Sequence, residues 1–303
     1  MQTPSLRVCD KNALLHVMEL WLESLQARNC SLRTVQNYRE CVTPFLLFLH
    51  EQGCRTLEHV EPQHIRRWLL HRQQQGVSSH TLHNSFRNPK AFWNWCLREG
   101  LTEHNPFAKI QPPKREQVLK RALTPDEVQR LLAACKGNDW LNLRDRALIL
   151  LLLDTGLRIH EAHALKVADV QNDVVVVRGK GGKQRVVVLD AEVRLALQRY
   201  LKRLNLHPDA PLWWGAYGAL TLHGLKLAVR RVGKRAGLTV GPHQLRRTFA
   251  TWSLRAGIDL EHLRLLMGHS DLKVLQQYLA LVEQDLKEAH ARTSPVRQLM
   301  GRR

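Results

Sequence analysis

Two adjacent prolines, Pro112 and Pro113, set between Gln111 and Lys114-Arg115, place the tightest limit on how this 303-residue chain folds. Neither fits inside a helix or a central strand, because proline lacks a backbone donor and restricts the residue before it. A Pro-Pro pair among charged side chains is a stiff, solvated connector. Residues 111–118 are therefore the expected boundary between an N-terminal domain over 1–110 and a second domain over 119–285, with a tail over 286–303. Charge is shared unevenly across that boundary. Residues 1–111 hold 13 basic and 9 acidic side chains, a net of +4, whereas residues 112–303 hold 33 and 18, a net of +15.

The N-terminal part reads as helices. Leu15, Met18, Leu22 and Leu25 recur at helical spacing over 12–27, and Ser31 is placed to cap a second helix with Val35, Tyr38, Val42, Phe45, Leu46 and Leu49 as its stripe. Further helices are expected over 62–75 and 79–98, with a bend or break at Pro89 and a kink at Pro44. Trp21, Trp68, Trp93 and Trp95 fall in apolar helical patterns, which assigns them to a core. Beyond the prolines, Thr124-Pro125-Asp126-Glu127 is a capping box with proline at the first helical position. An apolar helix over 145–153 ends at Thr155-Gly156. Two valine-rich runs, 174–177 and 185–189, flank Gly179-Lys180-Gly181-Gly182-Lys183 and form a hairpin. Helices are expected over 191–204, 221–236, 243–256, 260–267 and 271–281. The fold class is mainly α with a small antiparallel β-sheet, a helical N-terminal domain preceding an α+β domain.

The overall charge of +19 and a pI near 10.3 narrow the partners. So basic a chain calls for a polyanion, and nucleic acid is the usual one. A membrane surface would want a basic amphipathic helix or a lipidation signal, and neither is visible. No run of eighteen apolar residues exists, and Met1 to Ser5 lack the regions of a secretion signal. The six cysteines contain no CxxC pair, so neither a zinc site nor a redox dithiol is indicated. A cytoplasmic protein is expected.

Two segments concentrate cations where a loop meets a helix: Thr155-Gly156-Leu157-Arg158-Ile159-His160-Glu161 and His243-Gln244-Leu245-Arg246-Arg247. His243 and Arg246 stand at i and i+3, on one helical face. Gly268-His269 follows, and Tyr278 comes nine residues after it. Two arginines, two histidines, a lysine on a hairpin turn and a tyrosine suit phosphoryl transfer without a metal. Guanidinium forks grip phosphate oxygens, imidazoles donate to a developing oxyanion or move a proton, and a phenol can attack phosphorus. Tyr38 on its apolar stripe and Tyr200 near a helix end read as packing residues, and Tyr217 is a further tyrosine.

These motifs, in this order and spacing, resemble the catalytic signature of the tyrosine recombinase (phage integrase) family. The resemblance spans roughly residues 12–285, since Ser31-Leu32-Arg33-Thr34 with Tyr38, and Asn105-Pro106 running into Pro113-Lys114, look like that family's core-binding domain and linker. It implies a site-specific DNA recombinase whose two domains grip opposite faces of a duplex as a C-shaped clamp. Such an enzyme works as a homo-tetramer on two duplexes, in some cases with a paralogous partner, through a Holliday junction. No metal and no small-molecule cofactor are implied. Residue by residue, Arg158 and Arg246 match the clamp on the scissile phosphate, and His243 and His269 complete that cradle. Lys180 matches the general acid, with Lys183 as its rival on the same turn. Tyr278 matches the nucleophile that forms a 3′-phosphotyrosyl link, and Glu161 the acidic residue that orients the site.

The chain departs from the family at His160, where a small residue is usual, and around Tyr278, which is preceded by Gln276-Gln277 and followed by Leu279-Ala280. The tail continues a helical pattern through Val282, Leu286 and Ala289, a stripe that would dock on a neighbouring protomer or fold back in cis. Two other functions share parts of the pattern. A type IB topoisomerase-like enzyme has the same chemistry, and a silent DNA-binding accessory protein has the same charge. The intact residue set argues against the latter, and the short N-terminal domain against the former. Absence of an extra arm-binding domain points to a simple Xer-like system, in a prokaryotic, nucleoid-associated setting.

Overall fold

Local capping starts the helices of the N-terminal unit. The computed structural model describes residues 12–115, 121–178, 184–268 and 279, in two compact units, Met1–Val118 and Leu119–Arg303. In the first unit the described helices are α1 (Asn12–Ala27), α2 (Leu32–Glu51), α3 (Pro62–Gln74) and α4 (Ser79–Arg98). The Ser31 and Ser78 hydroxyls accept the backbone N–H of Thr34 and Thr81, each satisfying a donor that a helix start leaves over. An aromatic core joins the helices: Trp21 packs on Tyr38 and Phe92, and Phe45 on Trp68 and Phe107. Trp21, Trp68, Trp93 and Trp95 are all buried there.

The break expected at Pro89 does not occur. Helix α4 runs through it, as α2 runs through Pro44. Proline removes the donor that Ser85, one turn earlier, would have used. The Trp68 indole N–H replaces it, donating to the Ser85 carbonyl at 2.9 Å. A tertiary donor thus fills the gap in the helical ladder.

In the second unit, α5 (Pro125–Ala133) begins at the capping box: Thr124 Oγ1 accepts the Glu127 N–H at 3.3 Å, and Glu127 Oε2 accepts the Thr124 N–H at 2.9 Å. Helix α6 (Trp140–Thr155) starts earlier than Asp145 because Asp139 caps it, accepting the Asn142 N–H at 3.0 Å. It is apolar on nearly all sides and packs between α8 (Ala191–Leu201) and α10 (Pro242–Arg255) as the central helix. Gly156 ends α6 at φ +58°, where a Cβ would lie 2.3 Å from the Phe249 ring. Glycine is required there by both conformation and space.

The remaining described elements are α7 (Ile159–His163), the antiparallel pair β1 (Val174–Arg178) and β2 (Gln184–Val188), α9 (Leu222–Arg235) and α11 (Leu260–Met267). A second hairpin not expected from the sequence pairs β3 (Trp214–Gly215) with β4 (Gly218–Ala219). Its strands are too short for a period-two pattern, and it is held by the buried Tyr200. That hydroxyl donates to the Leu212 carbonyl and accepts the Trp214 N–H, both at 3.0 Å. The expected helix over 271–281, apart from Leu279, and the tail lie outside the described residues. No described helix is long and apolar enough to cross a membrane.

Candidate functional site

The end of α11 organises the site. A helix leaves its last carbonyls without intrahelical donors, and here guanidinium groups supply them. Arg158 Nη1 donates to the Met267 carbonyl at 3.3 Å, and its Nη2 to that of Gly268 at 3.2 Å. Arg246 Nη2 donates to the same Met267 carbonyl at 2.6 Å, and its Nη1 to the Gly156 carbonyl. Two arginines far apart in sequence are therefore held side by side by one main-chain oxygen. The negative end of the α11 dipole favours both.

Each arginine reaches that place for a local reason. Arg158 is the N-cap residue of α7, and Glu161 three residues on reaches back to accept its backbone N–H at 2.7 Å. The arrangement is a capping box. Glu161 also accepts Arg158 Nη1 at 3.1 Å. Arg246 lies in the first half of α10, next to the buried Leu245, and is itself 4% exposed. A buried charge is tolerable only when it is hydrogen-bonded, and both carbonyls accept from this one.

His243 stands one turn before Arg246 and is exposed. Its pKa is pushed below the ordinary imidazole value, first by desolvation of the ring and then by Arg246, Arg247, Lys226 and Arg158. His160 is pushed down likewise by desolvation and by Arg158, Arg246 and Lys226, against an upward pull from Glu161. Both rings thus sit in the field of the same cations, and the neutral form of each is favoured. Such a ring can offer one donor and one acceptor.

Of the candidate residues, the structure brings together Arg158, Glu161, His243 and Arg246. Lys180, Lys183, His269 and Tyr278 lie outside the described residues. Tyr200 is fully buried, Tyr38 packs in the N-terminal unit, and Tyr217 is fully exposed at the turn between β3 and β4. Among the described residues no group of histidine, cysteine and carboxylate side chains could hold a metal ion.

One residue escaped the reading of motifs. Arg185, in β2, donates through Nη1 and Nη2 to the two Glu161 oxygens at 2.9 and 2.8 Å, and through Nε to the Leu266 carbonyl at 2.8 Å. Burial alone would raise the Glu161 pKa, but hydrogen bonds from Arg185 and the Arg158 backbone, with both positive charges, bring it down to about 2. A signal for Arg185 was present. It alternates with Val187 and Leu189 on the buried side of its strand, where an arginine demands a buried carboxylate.

Residues 121–285 match the phage integrase family, and residues 18–100 match the phage integrase N-terminal SAM-like domain. A tyrosine recombinase XerC of Bacillus pumilus is 32% identical over 300 residues, covering 94% of this chain and 97% of that protein. One from Pseudomonas fluorescens is 32% identical over 274 residues, covering 88% and 92%. Among solved structures, a XerH site-specific recombinase bound to a palindromic difH substrate superposes with a TM-score of 0.73 at 24% identity, covering 94% of this chain and 85% of that one.

Proposed function

Because the chain belongs to the phage integrase family of tyrosine recombinases, whose members cleave and rejoin DNA, we propose that it is a Xer-like site-specific recombinase with Tyr278 as its nucleophile. The observation that carries this reading is the pairing of Arg158 and Arg246 on the Met267 carbonyl. The three contacts of Arg158 occupy fewer than the five N–H donors of a guanidinium. The donors left over suit the non-bridging oxygens of a phosphodiester.

In the proposed reaction the Tyr278 phenol oxygen attacks phosphorus in line, and the bond from phosphorus to the 5′ oxygen breaks. The phenol gives up its proton to a base of the cradle, for which His243 is suited. Lys180, or Lys183 on the same turn, protonates the departing 5′ oxygen, because a sugar alkoxide is far more basic than a phenolate. Arg158, Arg246 and His269 steady the charge on the phosphoryl group as bonding changes. A 3′-phosphotyrosyl link results. The 5′ hydroxyl of a partner strand then attacks it and releases the tyrosine. One ester replaces another at each step, so the exchange consumes no nucleotide.

Residues 1–110 serve in this reading as the core-binding domain, 111–118 as the linker, 119–285 as the catalytic domain and 286–303 as a tail for contact between protomers. Four copies act on two duplexes through a Holliday junction, in the cytoplasm on the nucleoid. Support comes from the family match over both parts and from the net +15 of residues 112–303. The test uses duplexes selected from a random library by the full chain, nicked to trap the covalent adduct. Wild type should form the adduct on a denaturing gel, and Tyr278→Phe should bind the duplex but form none. Adduct from the Tyr278→Phe protein, lost instead on changing Tyr217→Phe, would move the nucleophile to the exposed hairpin.

A further inference from the structure

Arg185 occupies a place that the strand pattern reserves for an apolar side chain. It faces Val177 across the hairpin and shares its inward side with Val187 and Leu189, all buried. Its side chain is 11% exposed. Desolvating a guanidinium there is costly unless its donors are met, and each of its three nitrogens is committed. Two face the Glu161 oxygens and the third the Leu266 carbonyl. It also fills the space beside Gly268, where a Cβ would come within 2.9 Å of Nη1.

Arg185 shares one partner with Arg158, and its other partner adjoins the carbonyls that seat Arg158 and Arg246. Glu161 is shared with Arg158, which binds the same carboxylate through its backbone N–H and Nη1. Leu266, Met267 and Gly268 present consecutive carbonyls to Arg185, to Arg158 with Arg246, and to Arg158. One carboxylate and one turn of main chain therefore tie three guanidinium groups together. Arg185 has a protein partner at each of its three nitrogens, its Nε included.

We propose that Arg185 is a positioning residue for strand cleavage, holding Glu161 and the end of α11 in the arrangement that aims Arg158 at the scissile phosphate. The inference rests on the assignment of Arg158 and Arg246 to that phosphate made above. With Arg185 gone, Glu161 keeps one cationic partner. Arg158, whose side chain is 29% exposed, can then turn both of its terminal nitrogens onto the carboxylate. The Leu266 carbonyl loses its donor at the same time, which loosens the turn that seats both arginines. Displacing a catalytic group by about 1 Å lowers a rate by roughly a hundredfold.

The experiment compares two substrates. The full chain is given a nicked duplex whose scissile phosphate is either native or a methylphosphonate, in which a methyl group replaces one non-bridging oxygen and removes the charge. Arg158→Ala, Arg185→Ala and Arg185→Lys are measured against wild type for duplex affinity and for the rate of covalent adduct formation. Both Arg185 variants should bind with near wild-type affinity and cleave the native phosphate about ten- to a hundredfold more slowly. On the methylphosphonate, which has little charge for Arg158 to neutralise, most of that deficit should vanish. The lysine variant keeps a charge opposite Glu161 for folding, yet one ammonium cannot span both carboxylate oxygens and the Leu266 carbonyl. It therefore decides the matter if the alanine variant fails to fold. Equal losses on the two substrates, or a lysine variant as fast as wild type, would overturn the role of Arg185 while Arg158→Ala still shows the selective deficit. If Arg158→Ala shows no selectivity either, the phosphate assignment falls, and the inference with it.

Discussion

Replacing Glu161 with glutamine isolates the charge that holds the arginine cluster together. The shape is kept, but the carboxylate oxygens that accept from Arg158 and Arg185 become one carbonyl and one amide that itself donates. Glu161 is 2% exposed, so solvent screens little of the interaction. Its pKa is about 2 in the folded chain, against about 4.3 for an unfolded glutamate, a difference of about 3 kcal/mol. Removing one partner of a buried ion pair costs about 3–5 kcal/mol by an independent route, so the two figures agree. The sign follows from the direction of the shift. A depressed carboxylate pKa stabilises above the unfolded value and is lost as pH falls through the folded one. Glu161→Gln should therefore lower stability by about 3 kcal/mol between pH 7 and pH 5, with the gap closing to roughly half near pH 3. Urea unfolding of both full-length proteins across that range measures it, reading the transition of the second unit. A gap that stays constant below pH 5, or one under about 1 kcal/mol at pH 7, would refute the buried ion-pair account.

Three further expectations follow from other parts of the molecule. Lys180→Ala should slow cleavage of ordinary DNA but much less that of a 5′-bridging phosphorothiolate, whose thiolate leaves unprotonated; a rescue that tracks Lys183→Ala instead would transfer the role. Trp68→Phe removes the indole donor to the Ser85 carbonyl and should cost about 1–3 kcal/mol. Adding Pro89→Ala restores a backbone donor, so in a double-mutant cycle by urea unfolding it should help the Trp68→Phe protein more than wild type, and additive effects would contradict the donor exchange. DNA affinity should fall steeply with salt, by about 0.9 in the slope of log K per phosphate neutralised; a flat dependence in a filter-binding titration would argue against backbone clamping by the basic second unit.

Much of this protein was legible because its determinants are local. Ser31 and Thr124 cap helices through atoms within three residues of themselves, and the valine-rich runs of β1 and β2 lie within ten residues of the hairpin turn. The i, i+3 spacing of His243 and Arg246 sets both on one face before any packing is known. The reach of Glu161 back to Arg158 is likewise a matter of one helical turn. Side chains such as Trp21, Trp68 and Trp93 read correctly as core because large apolar surface on a periodic stripe has to leave water.

What only tertiary structure decided is where unsatisfied polar groups find partners. Nothing near Pro89 shows that α4 continues; the donor that permits it comes from Trp68 on α3. Nothing near Arg158 or Arg246 shows that both end on the Met267 carbonyl. The role of Arg185 becomes visible only when β2 is laid against α7 and the end of α11. Hydrogen bonds at helix ends and buried charges must be satisfied by whatever the fold brings near. Sequence marks the groups in need, whereas the chain's path through space supplies the partner.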